Sequence, residues 1–386
     1  MNDVRTGLPG LYVHVPFCAG GKCPYCDFYS VPLSPALREE YLTAVERELD
    51  RWSVRAQGAV FDTVYFGGGT PSLLGDGLCR LFGRIRRDFA VAPDAEITLE
   101  ANPTPVGGAS RASASQAGAP PADFAALRQA GFNRLSLGLQ SGVAQELQAL
   151  GRRHTPQDAA AAVKEARAAG FDNISLDLML AVPGQTADSL RRSVDFTAGL
   201  EPAHISAYLL KIEPGTEFYR KRATLSLPDG DGQADLYELA CRELETRGYR
   251  QYEISNFARP EMESRHNLKY WNCNDYLGIG PAAHSLWRGR RFYYPRSLAK
   301  FIHSGHTEDE GPGGGWEEYA MLRLRLADGL CRAALRERFG VELERLDLSQ
   351  VPEWRRAGLV TYDGERLALT RKGFLVSNPL LARLLP

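Results

Sequence analysis

The sequence has no uninterrupted apolar run long enough to cross a bilayer, which excludes a helical membrane span. Its first residues, Met1-Asn-Asp-Val-Arg-Thr-Gly, carry no apolar signal region. It has no excess of positive charge: 46 Lys and Arg stand against 47 Asp and Glu. That balance argues against a general nucleic-acid binder, although a local basic face stays open. Cysteine is scarce and odd in number, seven in 386 residues, and Cys79, Cys241, Cys273 and Cys331 are widely scattered. Such spacing excludes a secreted disulfide framework and leads us to expect a reducing, cytoplasmic setting. The length allows two or three domains with a large buried core.

The other three cysteines are anything but scattered. Cys18, Cys23 and Cys26 lie within nine residues, directly after the alternating apolar run Leu11-Tyr-Val-His-Val-Pro-Phe17. Thiolates are soft ligands, and three so close favour zinc or an iron–sulfur cluster over oxygen-loving ions. No fourth cysteine or adjacent histidine closes a tetrahedral zinc set. Three thiolates leave one corner open, which suits a [4Fe–4S] cluster with one iron free for another ligand. The alternative is a disulfide with a spare thiol. The surrounding glycines and prolines would let a loop wrap a cluster.

Strand and helix patterns alternate about six times up to residue 211. Strand signals lie at 11–17, 61–66, 96–103, 134–141, 173–180 and 204–211. Helical ones lie at 35–52, where Ser34-Pro35 reads as a cap and first turn, and at 77–89, 122–130, 156–169 and 186–199. This alternation predicts a parallel α/β sheet or barrel. The strand C-termini carry the unusual residues: the cysteines, Gly67–Gly69, Glu100, Gln140 and Asp177. In parallel barrels that rim holds the ligand. Residues 105–121 lack large apolar side chains and read as a flexible surface insertion. Beyond 212 the period changes. A long helix is expected at about 229–247, a linker at 307–315 and helices at 316–326, 331–338 and about 351–357. A hairpin turning at Asp363-Gly364 follows, which suggests a winged-helix-like end. The expected units are 1–220, 221–306 and 316–386.

Cys18, Cys23 and Cys26, with Gly67–Gly69 and Pro71, resemble the radical S-adenosylmethionine (SAM) superfamily. The resemblance implies a partial parallel (β/α)6 barrel and a [4Fe–4S] cluster on the three cysteines. The fourth iron would take the amino and carboxylate groups of SAM, and one electron would cleave the sulfonium to a 5′-deoxyadenosyl radical. Tyr65-Phe-Gly-Gly-Gly-Thr-Pro71, Glu100-Ala-Asn-Pro103, Asn133-Arg-Leu-Ser-Leu-Gly-Leu-Gln140-Ser, Gly151-Arg-Arg-His154, and Asp177 followed by Pro183-Gly-Gln-Thr186, narrow the likeness. They are similar to the oxygen-independent coproporphyrinogen III oxidase-like family over nearly the whole chain. That similarity implies a SAM pocket lined by Tyr12, Gly68, Gly69, Thr70, Glu100, Gln140, Arg152 and Asp177, with Tyr25 against SAM or the cluster. The superfamily has three residues between its first two cysteines; here there are four, Ala19-Gly-Gly-Lys22, a departure that the adjacent glycines would absorb as a bulge.

Within this family, oxidases that decarboxylate coproporphyrinogen III have a further cysteine two residues after the third ligand, where this chain has Phe28. His266-Asn267-Leu-Lys-Tyr270-Trp271 instead resembles the His-Asn-x-x-Tyr-Trp motif of the heme-chaperone branch, as do Tyr252-Glu-Ile-Ser-Asn-Phe257 and Asp275-Tyr-Leu-Gly-Ile-Gly-Pro-Ala-Ala-His284. This branch implies heme as cargo, contacts from His266, Asn267, Tyr270 and Trp271, and delivery to respiratory heme proteins, with the membrane surface as the expected place of hand-over. His266 would either touch heme or be hydrogen-bonded internally, while His14, His154 and His284 read as structural. Porphyrinogen decarboxylation is the alternative activity. Nucleic-acid binding, which is not expected, would rest on Arg332, Arg336, Arg338, Arg371 and Lys372.

Overall fold

Leu11, Val13 and Val15 are fully buried on one side of the first strand, while Tyr12 and His14 point to the other. This period-two alternation, repeated strand after strand, gives a sheet with an apolar outer face under helices and a polar inner face. A computed structural model describes residues 7–19, 21–103 and 122–385. The insertion expected at 105–121 therefore lies outside the described residues. Six parallel strands run β1 (Gly10–Val15), β2 (Val60–Gly68), β3 (Ala90–Ala101), β4 (Arg134–Gln140), β5 (Asn173–Leu180) and β6 (His204–Leu209), each beside the next in that order.

The connecting helices start where the sequence supplies caps. Ser34 accepts the Leu37 N–H before helix Pro35–Arg55. Thr155 with Asp158, and Thr186 with Ser189, form reciprocal capping boxes at Pro156–Ala168 and Ala187–Gly199. The registers Tyr12↔Tyr65, Tyr65↔Thr98, Glu100↔Ser136 and Asp177↔Ser206 stack the inner-face side chains into levels.

The second half adds one strand to the barrel and corrects one expectation. A seventh parallel strand, β7 (Tyr276–Ile279), lies beside β1 on its free edge. The segment 307–315 is not a free linker. Glu308–Pro312 pairs with Arg290–Tyr293 and ends the sheet on that side, and only the glycines that follow form a turn. The opposite side is closed by the short antiparallel strands Asn256–Ala258 and Arg250–Gln251. The twelve strands follow one another without closing, so the barrel is partial.

The C-terminal part has its own apolar core around Leu324, Leu335, Trp354 and Leu367, and Cys273, Tyr276 and Leu286 contribute to it. Its helices Trp316–Arg323, Arg332–Phe339 and Val351–Arg356 surround a three-stranded sheet, Leu330–Cys331, Arg366–Leu369 and Val360–Tyr362, in a winged-helix-like arrangement. Arginines of this part are engaged. Arg332 binds the Glu344 carboxylate, Arg336 that of Glu342, and Arg371 that of Glu245. Arg338 donates to the carbonyls of Asn272 and Cys273.

Candidate functional site at the barrel rim

The three clustered cysteines sit on the loop between β1 and helix Pro35–Arg55, at the C-terminal end of the barrel strands. Cys18 ends a two-residue strand, Phe17–Cys18, that pairs with Val31–Pro32, so the loop leaves and rejoins the rim side by side. The Cys26 N–H donates to the Cys23 carbonyl at 3.0 Å, closing a tight turn. Gly21 has φ of 101° with open space where a Cβ would stand, so the long spacer has room on its outer side. All three thiols are free and partly exposed. Burial pushes Cys18 and Cys26 up from the usual thiol range, and the nearby Cys23 charge raises both further. A cationic cluster would relieve that repulsion, so the donor set fits one. Among the described residues no three such side chains converge on a single ion. A cluster that takes one thiolate per iron needs a wider triangle.

The glycine run approaches this loop closely. Gly69 donates to the Val15 carbonyl at 2.8 Å and Thr70 to the Phe17 carbonyl at 2.7 Å. A Cβ on Gly69 would lie 2.4 Å from the Phe17 oxygen, and one on Gly68, at φ of 113°, 2.6 Å from the His14 ring. These positions have no room for a side chain, so only glycine lets the strand end pack this closely against the start of the cysteine loop.

Two hydrogen-bonded polar groups stand on the inner face. Glu100 accepts from Tyr65 Oη at 2.7 Å and from the Gly68 N–H at 3.0 Å. Arg152 donates to Asn102 Oδ1 at 2.5 Å and to the Gly138 carbonyl at 2.8 Å, and its other terminal nitrogen lies 3.6 Å from Cys23 Sγ. Asn102 in turn donates to Thr70 Oγ1 at 2.9 Å. Burial disfavours the charge on Arg152, but the Tyr25 hydroxyl and the Cys23 thiol more than offset it. Tyr25 packs near the Phe218 ring, centroids 6.2 Å apart. Gln140 adopts φ of 71° beyond a β-bulge at the end of β4, and its amide comes back over Gly138.

Burial pushes Glu100 up to about 7 against the hydrogen bond from Tyr65, and the Asp177 charge adds to the rise. Burial likewise lifts Asp177 to about 6, opposed by hydrogen bonds from Ser206 and Ser136 and by the Arg134 charge. Two buried carboxyl groups on the inner face can accept hydrogen bonds from an amine and from ribose hydroxyls. Tyr65 and Asn102 escaped the sequence reading, although strand alternation places Tyr65 on the face of Thr63 and Gly67, and Asn102 on that of Glu100.

The His-Asn-Leu-Lys-Tyr-Trp segment forms helix Arg265–Trp271. Its members are not gathered on one open face. His266 is buried beneath the barrel interior, where Nδ1 meets Thr63 Oγ1 at 2.8 Å and Nε2 meets Tyr270 Oη at 2.8 Å. Its ring stacks on Tyr65 at 5.0 Å, and burial lowers its pKa to about 3, so it is neutral. Tyr270, by contrast, lines a cleft of about 400 Å³ beside the rim with Tyr12, Tyr29 and Tyr276. Asn267 and Trp271 are half-buried and are not among the residues lining that cleft. His14 and His154 are buried and hydrogen-bonded, His14 to Tyr12 Oη and the Tyr29 carbonyl and His154 to the Leu139 carbonyl.

With this geometry in view, residues 12–197 match the family model of the radical SAM superfamily, and residues 315–376 match that of the HemN C-terminal domain. The heme chaperone HemW of Mycobacterium tuberculosis is 38% identical over 388 residues, covering 97% of this chain and 94% of the relative. The heme chaperone HemW of Escherichia coli is 35% identical, covering 96% of each. The chain belongs to the HemW family. Its fold is also that of Escherichia coli coproporphyrinogen III oxidase (HemN), a radical SAM enzyme, with a TM-score of 0.80 over 99% of this chain and 91% of that one. Identity there is 22%, so that likeness concerns the fold. Membership of a radical SAM family implies a [4Fe–4S] cluster and SAM. Among the described residues no helix is long and apolar enough to cross a membrane.

Proposed function

We propose that this HemW-family chain is a heme chaperone that carries a [4Fe–4S] cluster and SAM beside its cargo and passes heme to respiratory heme proteins. The observation that carries the reading is the end-to-end similarity to proteins named heme chaperones, which extends through the His266–Trp271 segment.

In this reading Cys18, Cys23 and Cys26 hold the cluster. Tyr12, Tyr25, Gly68, Gly69, Thr70, Glu100, Gln140, Arg152 and Asp177 surround SAM. When bound, the cluster supplies an open iron for SAM's amino and carboxylate groups and an electron for reductive chemistry. Glu100 and Asp177 would accept from the amine N–H groups or the ribose hydroxyls. Arg152, already hydrogen-bonded to Asn102 and Gly138, would place its charge toward the carboxylate. Of the motif residues, Tyr270 would face the heme, with His266 fixing its hydroxyl; Asn267 and Trp271 would support the helix. Cytoplasmic location and hand-over at the membrane surface belong to the same reading.

The test is anaerobic reconstitution followed by heme titration, read by absorbance with and without SAM. Stoichiometric heme binding and no vinyl formation from coproporphyrinogen III are expected. Stoichiometric decarboxylation would replace the chaperone reading with the oxidase one.

A further inference from the structure

Resting on the reading of heme as cargo, we propose that the iron porphyrin sits in the cleft between the cysteine loop and β7, with His284 Nε2 as its axial ligand. Phe28 would lie against the ring and Arg296 pair with a propionate.

The cleft is lined by Phe28, His284 and Arg296 together with several tyrosines. Phe28 is 68% exposed, unusual for a large apolar ring and suited to a flat aromatic partner. It follows the last cluster cysteine by two residues, so the loop that would hold the cluster also forms this wall.

Three histidines lie on or near the cleft, and their ring nitrogens separate them. A metal ligand needs one unprotonated nitrogen with open space before it. His14 has partners on both nitrogens, Tyr12 Oη at 2.9 Å and the Tyr29 carbonyl at 3.1 Å. His266 is likewise engaged at both. The His284 side chain is 53% exposed, its Nδ1 lies 3.5 Å from Glu310 Oε2, and no described residue hydrogen-bonds to Nε2. Nε2 is thus the ring nitrogen without a described partner, and a carboxylate near the other nitrogen is an arrangement recurrent behind metal-bound histidine. The ring is stacked on Tyr293 at 5.0 Å and 21°, which fixes its plane. Arg296 is held at the cleft by the Asp27 carbonyl at 2.5 Å and stays more than half exposed. Its guanidinium suits a carboxylate of the porphyrin edge.

The test is a set of titrations of the reconstituted full chain with heme, heme dimethyl ester and iron-free protoporphyrin IX, read by Soret absorbance and tryptophan quenching. His284→Ala should abolish the histidine-ligated Soret band and weaken heme binding by more than the roughly 10- to 100-fold that loss of a ligand's outer partner costs. Protoporphyrin IX should bind His284→Ala as it binds the unaltered chain. Glu310→Gln should weaken heme, and Arg296→Ala should weaken heme but leave the dimethyl ester unaffected. An unchanged Soret band and affinity in His284→Ala would overturn the assignment. Failure of the unaltered chain to bind heme at all would instead remove the chaperone reading on which it rests.

Discussion

Glu100 is the residue whose ionisation bears most directly on the rim. Burial lifts it to about 7, so near neutrality a large share of the free protein carries it protonated. The N–H and O–H donors of the amine and ribose bind the ionised carboxylate more strongly than the protonated one. SAM affinity measured by calorimetry should therefore rise as pH goes from 6 to 8 and level off above. Glu100→Gln should flatten that rise and weaken SAM by roughly 10- to 100-fold, the worth of a hydrogen bond to a charged group. His266 makes a contrasting case. Deleting its ring strands the hydroxyls of Thr63 and Tyr270 and removes the stack on Tyr65. His266→Ala should cost about 3 kcal/mol in denaturant unfolding and leave the histidine-ligated Soret band in place. The difference between these two residues is also one of legibility. Glu100 stands at a strand end, where a one-dimensional pattern already marks the ligand side. The partners of His266 are set by tertiary contact: Thr63 lies 203 positions away, and no local spacing announces it.

Among elements, the glycine run and the first strand act as a pair. Gly69→Ala would drive a Cβ into the Phe17 carbonyl, backbone against backbone, where no side-chain rotation relieves the overlap. A loss of about 1–3 kcal/mol is expected, as for other overpacked sites. Thermal unfolding would register it, with fewer irons retained per chain because Phe17 adjoins Cys18. The six strands and their helices were readable because each alternates cleanly and most helices have a side-chain cap. β7 was harder, being four residues long and drawn from a region where the period changes. The paired segment Glu308–Pro312 was missed because three acidic residues followed by Gly-Pro carry no apolar alternation. An edge strand needs only backbone partners on one side, so its side chains carry little signal.

For the whole molecule, the seam between barrel and C-terminal part centres on Glu253. This carboxyl is fully buried, and its backbone bridges to Leu326 while the Ile254 N–H donates to the Arg325 carbonyl at 3.0 Å. Burial raises it to about 7, opposed by hydrogen bonds from Ser255 and Asn256. A carboxyl raised on folding contributes stability that is full below its unfolded pKa and fades as pH climbs through the folded one. Unfolding free energy should thus fall by about 1–2 kcal/mol between pH 6 and 8.5 through this group. Glu253→Gln should remove that slope in thermal or denaturant melts, and an equal slope in the variant would assign it elsewhere.

The cysteine loop has a consequence at this scale too. Cys26 and Phe28 are two residues apart, one in the thiolate set and the other on the wall of the cleft. Under the proposed occupancy, the cluster and the heme cargo share a single short stretch of backbone. Linkage is reciprocal: if a seated cluster tightens heme by some factor, heme tightens the cluster by the same factor. The chain would then read two supplies together, releasing heme when iron–sulfur assembly falters and holding it when both are plentiful. Heme titrations of cluster-free and reconstituted protein, compared side by side, measure that factor.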